Sequence, residues 1–248
     1  MGALGPLRWW LSRSHVRVPD GPGAGLRLAS ADVVAGHVQA FGLVRGTLET
    51  SVQEAMRRTL APGGTFYDIG ANLGFFSLLA ARLAGSDGHV FAFEPHPASA
   101  ELIRSNAALN GLATIEVCEL ALGTEARSDL LYDVRESSWS RLARYGSHPA
   151  ARGTVPVAVA AVDDLVEEGR IRPPDVVKID AEGAELDIVT GMARTLATHH
   201  PAVICELHAT NSAFAELMRA NGYRVENLDG PGPIASAPPD IHVLALPA

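Results

Sequence analysis

The chain has 248 residues, 47% hydrophobic and 19% charged, which supplies a sizeable core and excludes global disorder. Its 20 basic and 28 acidic residues leave a formal charge of −8, a poor footprint for nucleic-acid binding. No apolar run approaches the roughly 18 residues of a membrane span, and two cysteines, Cys118 and Cys205, are too few for a disulfide framework; both lie in apolar runs and are expected as buried thiols of a reducing cytoplasm.

Residues 1–60 carry seven arginines against four acids, whereas residues 61–248 carry 13 basic against 24 acidic residues. The first segment therefore reads as an N-terminal extension to a domain over 61–248, expected to cap that domain's binding site. Arg8 and Arg13 interrupt the apolar stretch that a secretory leader needs. Trp9-Trp10 suits core packing, substrate contact or dimerisation, and a homo-oligomer is left open. A turn-rich PDGPGAG at 19–25 precedes a helix around 49–60.

From residue 64 the pattern is regular. TFYDIG (65–70) is a short buried strand, LGFFSLLAARLA (73–84) a helix, and HVFAFEP (89–95) a second strand. PASAELIRSNAALNG (97–111) is a helix stopped by Asn110-Gly111, and TIEVCELAL (114–122) a third strand. A polar, β-leaning stretch runs to about 161; within it Trp139, Arg141 and Arg144 form either a lid or a surface excursion. DVVKID (175–180), GAELDIVTGMARTLA (183–197), AVICELH (202–208) and SAFAELMRANG (212–222) continue as strand, helix, strand, helix. YRVENL (223–228) and IHVLAL (241–246) are separated only by a Pro/Gly-rich loop and pair as an antiparallel hairpin. The alternation predicts an α/β, Rossmann-like, mostly parallel sheet.

The first strand runs into Asp68-Ile69-Gly70-Ala71-Asn72-Leu73-Gly74, a strand-to-helix turn at the sheet edge where such folds bind ligands. A dinucleotide G-x-G-x-x-G counted from Gly70 needs glycine where Asn72 and Phe75 stand. The observed D-x-G-x-x-x-G instead fits an adenosyl-methionine moiety, which brings no pyrophosphate. Glu94 ends the second strand, where a carboxylate accepts ribose hydroxyls. An NAD-linked oxidoreductase and a non-catalytic adenosyl-binding protein are the alternatives.

DIGANLGFFSLLAA, VFAFEPHP, the pair Asn106 and Asn110, VPVAVAAVDDL and KIDAEGAELDIVTG together resemble the FkbM-type methyltransferase family over about residues 60–228. The resemblance implies a class I methyltransferase with a seven-stranded sheet, S-adenosyl-L-methionine as cofactor, and O-methylation of a hydroxyl on a small natural product or sugar. It further implies that Gly70, Asn72 and Gly74 line the cofactor, that Asp68 lies near the methionine amine, that Glu94 takes the ribose, and that Glu119 through Ala121 border the adenine.

The fourth and fifth strands end KIDAEGAE and CELH, which brings Asp180, Glu206 and His208 to one edge. His208 or Asp180 serves as general base, or Asp180 and Glu206 hold a divalent metal such as Mg2+, or proximity alone suffices. A structural role stands open for each: a helix cap for Asp180, a hydrogen-bond acceptor for Glu206, a surface loop for His208. Lys178, the only lysine, is expected in a buried ion pair, and Glu182 and Glu185 in a first helical turn favoured by the helix dipole.

Overall fold

The computed structural model describes residues 15–29, 42–43, 45–134 and 141–248; Arg8, Trp9, Trp10, Arg13 and Trp139 lie outside them. The strands are β1 (His15–Arg17), β2 (Arg27–Ala29), β3 (Thr65–Ile69), β4 (His89–Phe93), β5 (Ile115–Cys118), β6 (Ala121–Leu122), β7 (Arg127–Val134), β8 (Ala151–Ala160), β9 (Val176–Ile179), β10 (Ala202–His208), β11 (Tyr223–Asn227) and β12 (Asp240–Pro247). The helices that concern the site are α1 (Thr50–Thr59), α2 (Phe75–Ala84), α3 (Pro97–Asn110), α4 (Val162–Glu167), α5 (Glu185–Thr190), α6 (Ala193–His199) and α7 (Asn211–Ala220).

Every residue of β3 and of β9 is buried, as expected of central strands covered on both faces. They lie side by side in a seven-stranded sheet of order β11-β12-β10-β9-β3-β4-β5. Only β12 runs antiparallel, to both β10 and β11. This is the class I methyltransferase arrangement, with the C-terminal hairpin anticipated from the short 229–240 connection. Tyr67 anchors one face, its ring edge-on to Phe91 and Phe93 at 5.6 and 5.4 Å.

The other elements follow their sequence signals, with two departures. α3 has proline at its first position and ends on left-handed Gly111. The expected single helix over 183–197 is two, α5 and α6, divided at Gly191-Met192. A Cβ on Gly191 would fall 2.0 Å from the Gly123 carbonyl oxygen, so a neighbouring loop crosses the chain where a longer helix would run. The expected strand 114–122 is also divided. β5 stays in the main sheet, while β6 pairs with β8 in a separate three-stranded sheet of order β6-β8-β7. That sheet is the β-leaning stretch before residue 161. Cys205 is buried as expected; Cys118 is half-buried, and both are free thiols.

The N-terminal extension is tied to the domain by α3. β1 and β2 form a small antiparallel pair. Asn110 Oδ1 accepts from Arg27 N at 2.9 Å and its Nδ2 donates to Arg27 O at 2.7 Å, so one amide pairs with β2 as a strand would. Asn106, 1% exposed, accepts from Ala29 N at 3.0 Å and donates to Leu73 O at 2.9 Å, joining β2 to the loop after β3. Asn106→Ala leaves both backbone groups without these partners, and we expect a loss of about 1–3 kcal/mol in urea denaturation.

Candidate active site

Gly70 turns the chain at the end of β3 with φ 80°, and a Cβ there would lie 1.8 Å from the Asp180 carbonyl oxygen. Only glycine lets the β3 turn pass so close to the end of β9. Glu94 reaches across from the end of β4. Its two oxygens accept from Asn72 N at 2.8 Å and His96 N at 2.9 Å, which fixes the carboxylate at the loop. Burial raises Glu94 to about 7 against these two donors.

A cleft opens here. Gly70, Asn72, Glu94 and Asp180 form its polar part, and Leu120, Ala121, Leu122, Leu131, Leu142 and Ile188 its apolar part. A second, smaller cavity meets the first at Gly70, Asn72 and Asp180, and is bordered by Glu49, Phe76 and Lys178. The first cleft thus offers an apolar slot and a carboxylate beside a glycine turn, which suits adenine and ribose. Arg141 also lines this cleft, so residues 141–142 border part of the site.

Three of the residues assigned to the cofactor from the sequence stand outside both cavities. Asp68 is 1% exposed beneath the turn, accepts from Ser77 Oγ at 2.5 Å, and sits beside Lys178 across β3 and β9. A Cβ on Gly74 would fall 3.0 Å from Ile103 of α3, so its small size serves helix packing. Glu119 turns outward to Arg104 at 2.7 Å, because the chain leaves the main sheet after β5. Leu120 and Ala121 do line the cleft.

Lys178, whose side chain is 3% exposed, donates to Asp180 Oδ2 at 3.1 Å, and its ammonium lies 4.5 Å from the Phe76 ring centre. Burial raises the Asp180 carboxyl, but Lys178 and then His208 outweigh it, and the net shift is downward. The expected buried ion pair is present.

Glu206 and His208 line neither cavity. They stand at the rim, within a larger set of charges than the sequence indicated. His208 Nδ1 lies 2.6 Å from Glu185 Oε1, and Glu185 is fully buried. His242 Nδ1 lies 2.9 Å from Asp229 Oδ2. The Nε2 atoms of the two imidazoles flank Glu206 at 3.9 and 3.8 Å. Burial pulls both imidazoles down, but the surrounding carboxylates prevail and raise each to about 9. Glu206 is raised to about 7 by burial and by the charges of Asp180 and Glu49.

Glu49, Asp229 and His242 escaped the sequence reading because none belongs to a motif. His242 faces Glu206 only because β12 returns antiparallel beside β10 in that register. Glu182, Asn72 and Glu49 carry positive φ of 44°, 48° and 40°, and Ala209 beside His208 one of 60°. Strained backbone thus gathers around the rim, as at sites where geometry serves function. Metal-donor types gather in two trios, Glu49–Glu206–His242 and Asp180–Glu182–His208, each within 4.8 Å. Asp180 and Glu206 fall in different trios, so that pair alone does not make the single Mg2+ site weighed from the sequence.

Comparisons with known proteins bear on the family and the fold. Residues 68–225 match the family model described as "Methyltransferase FkbM domain". The chain is 32% identical over 145 residues to "Hexuronic acid methyltransferase AglP" of Haloferax volcanii, covering 58% of this chain and 55% of the relative. It is 25% identical over 195 residues to "31-O-demethyl-FK506 methyltransferase FkbM" of Streptomyces tacrolimicus, covering 67% and 75%. The chain thus spans about half the length of AglP. The O-methyltransferase TomG of Streptomyces achromogenes, solved with S-adenosylmethionine, shares the fold at TM-score 0.51 and 16% identity, covering 88% and 89%. No helix among the described residues is long and apolar enough to cross a membrane.

Two predictions follow from the rim's charges. Lys178→Met leaves buried carboxylates without their cation and should cost about 3–5 kcal/mol in urea denaturation; Lys178→Arg, which keeps the charge but must seat a planar fork, should fall between the two. His208 and His242 both titrate higher folded than unfolded, so their stabilisation is complete below about pH 6.5 and is lost as pH rises through about 9. The denaturation midpoint should therefore fall between pH 6.5 and pH 9.5, and the double substitution His208→Gln, His242→Gln should flatten that fall.

Proposed function

The chain belongs to the FkbM methyltransferase family, and we propose that it methylates a hydroxyl oxygen of a small molecule, with S-adenosylmethionine as donor. The cofactor supplies an electrophilic methyl carbon on its sulfonium. The chain's residues supply place and proton transfer. Gly70 and Asn72 shape the turn against which the cofactor lies, Glu94 receives the ribose, and Leu120 and Ala121 flank the adenine. The residues fit this group: the Gly70 turn leaves no room for a side chain, and Glu94 is held by two backbone donors at the cleft. For an NAD-linked reaction the loop has the wrong spacing, with Asn72 in place of the second glycine.

The observation that carries the O-methylation is Glu206 between two imidazole Nε2 atoms at 3.8 and 3.9 Å. A hydroxyl acceptor must lose its proton as the methyl arrives, and a base works best when its pKa lies near the working pH. Glu206, at about 7, meets that condition. His208, at about 9, carries its proton at neutral pH, and Asp180 is pinned to Lys178 and weakly basic. We therefore assign proton removal to Glu206, with His208 and His242 orienting it, and we assign Asp180 to the donor side of the acceptor.

The printed names of two relatives, a hexuronic acid methyltransferase and a 31-O-demethyl-FK506 methyltransferase, support a sugar or a hydroxylated natural product as acceptor. We place the reaction in a reducing cytoplasm, in keeping with two free thiols. The purified chain, given S-adenosylmethionine and panels of uronic acids and hydroxylated metabolites, should yield a product heavier by one CH2 unit. Glu206→Gln should lower kcat about 10²–10⁴-fold and remove the limb of the pH–rate profile near neutrality. Turnover of Glu206→Gln at the wild-type rate would show that no base acts at this position, and cofactor binding without turnover of any acceptor would favour the non-catalytic alternative.

A further inference from the structure

Glu49 stands at the N-cap of α1, where a short polar side chain ordinarily caps the free N–H groups of the first turn. It does not do so here. It makes no side-chain cap hydrogen bond, and its backbone is left-handed at φ 40°, ψ 56°. Gln53, fully buried, holds this conformation from behind by donating to Leu48 O at 2.5 Å and accepting from Gly23 N at 3.1 Å. The chain therefore spends backbone strain and a cap to aim one carboxylate elsewhere.

The carboxylate borders the second cavity, the one that meets the cofactor cleft at Gly70, Asn72 and Asp180. Its Oε2 is buried and has no hydrogen-bond partner. His242 Nε2 stands 3.5 Å away, an ion-pair contact that leaves neither atom with a hydrogen bond. The charged groups lining this cavity are Glu49, Asp180 and Lys178, and Lys178 is engaged by Asp180. His242 lies outside this lining, so a buried carboxylate oxygen faces the cavity with room for a cationic hydrogen-bond donor.

We propose that Glu49, contributed by the N-terminal extension, binds the α-ammonium group of the cofactor's methionine end. The assignment rests on the cofactor reading above, and it replaces Asp68, which is sealed beneath the turn and engaged by Ser77. The cofactor then spans both cavities. Its nucleoside occupies the larger, its sulfur passes Gly70 and Asp180, and its amino-acid end enters the smaller. Glu49 lies outside residues 68–225, so cofactor binding extends beyond the segment the family model matches. A residue of the extension thereby closes the site from the side opposite Glu94.

Two ligands test this by calorimetry on the full chain. S-adenosylhomocysteine carries the ammonium; 5′-methylthioadenosine has the same nucleoside and thioether but no amino-acid end. Glu49→Gln preserves size and removes the charge. We expect it to weaken S-adenosylhomocysteine about 10- to 100-fold and to leave 5′-methylthioadenosine unchanged, which also shows that the variant folds. An equal loss for both ligands would make Glu49 a purely structural residue, and no loss for either would place the ammonium elsewhere; both results overturn the proposal. If the wild-type chain binds neither nucleoside, the cofactor reading itself fails and this assignment falls with it.

Discussion

The site depends on one buried cation. Lys178 stands in the central strand β9, with Asp68 beside it on β3, Asp180 accepting its hydrogen bond at 3.1 Å, and the Phe76 ring at 4.5 Å. Glu49 and Glu206 add to the negative field it feels. Without it these acids would face one another in a low-dielectric interior, where each would be driven to take up a proton. With it, Asp180 stays ionised at the junction of the two cavities. The only lysine of the sequence is therefore the charge around which the acidic edge is built.

Strand order does the rest. β9 and β10 end side by side, and β12 returns antiparallel next to β10, so Glu206 acquires His242 as a cross-strand neighbour. Each imidazole has a carboxylate on Nδ1, Glu185 for His208 and Asp229 for His242, and each Nε2 lies between Glu206 and a second acid, Glu182 for His208 and Glu49 for His242. Such pairing fixes ring orientation. The extension completes the arrangement from outside the sheet: Asn106 and Asn110 hold β2 against α3, Gln53 holds Leu48, and Glu49 reaches the second cavity.

The central strands and their helices were legible in the sequence because they are buried on both faces and read as short apolar runs. Gly70, Glu94 and Asp180 were legible because a turn and two strand ends must lie at one edge of a parallel sheet. The rest depended on contacts that no local pattern records. The 183–197 helix breaks because the Gly123 carbonyl crosses Gly191. Glu119 points outward because the chain changes sheets directly after β5. Glu185 resembled an acid of a first helical turn, yet it is fully buried and bound to His208. Glu49, Asp229 and His242 are far apart in the chain and meet only through the fold.

The account stands on the cleft between Gly70 and Glu94 being the cofactor site, with Asp180 at the reacting end. A crystal structure of the chain with S-adenosylhomocysteine tests that claim most directly. The account predicts ribose hydroxyls on Glu94, adenine against Leu120 and Ala121, and sulfur passing Gly70 toward Asp180. Density for the ligand elsewhere, or ribose hydroxyls held by groups other than Glu94, would contradict it.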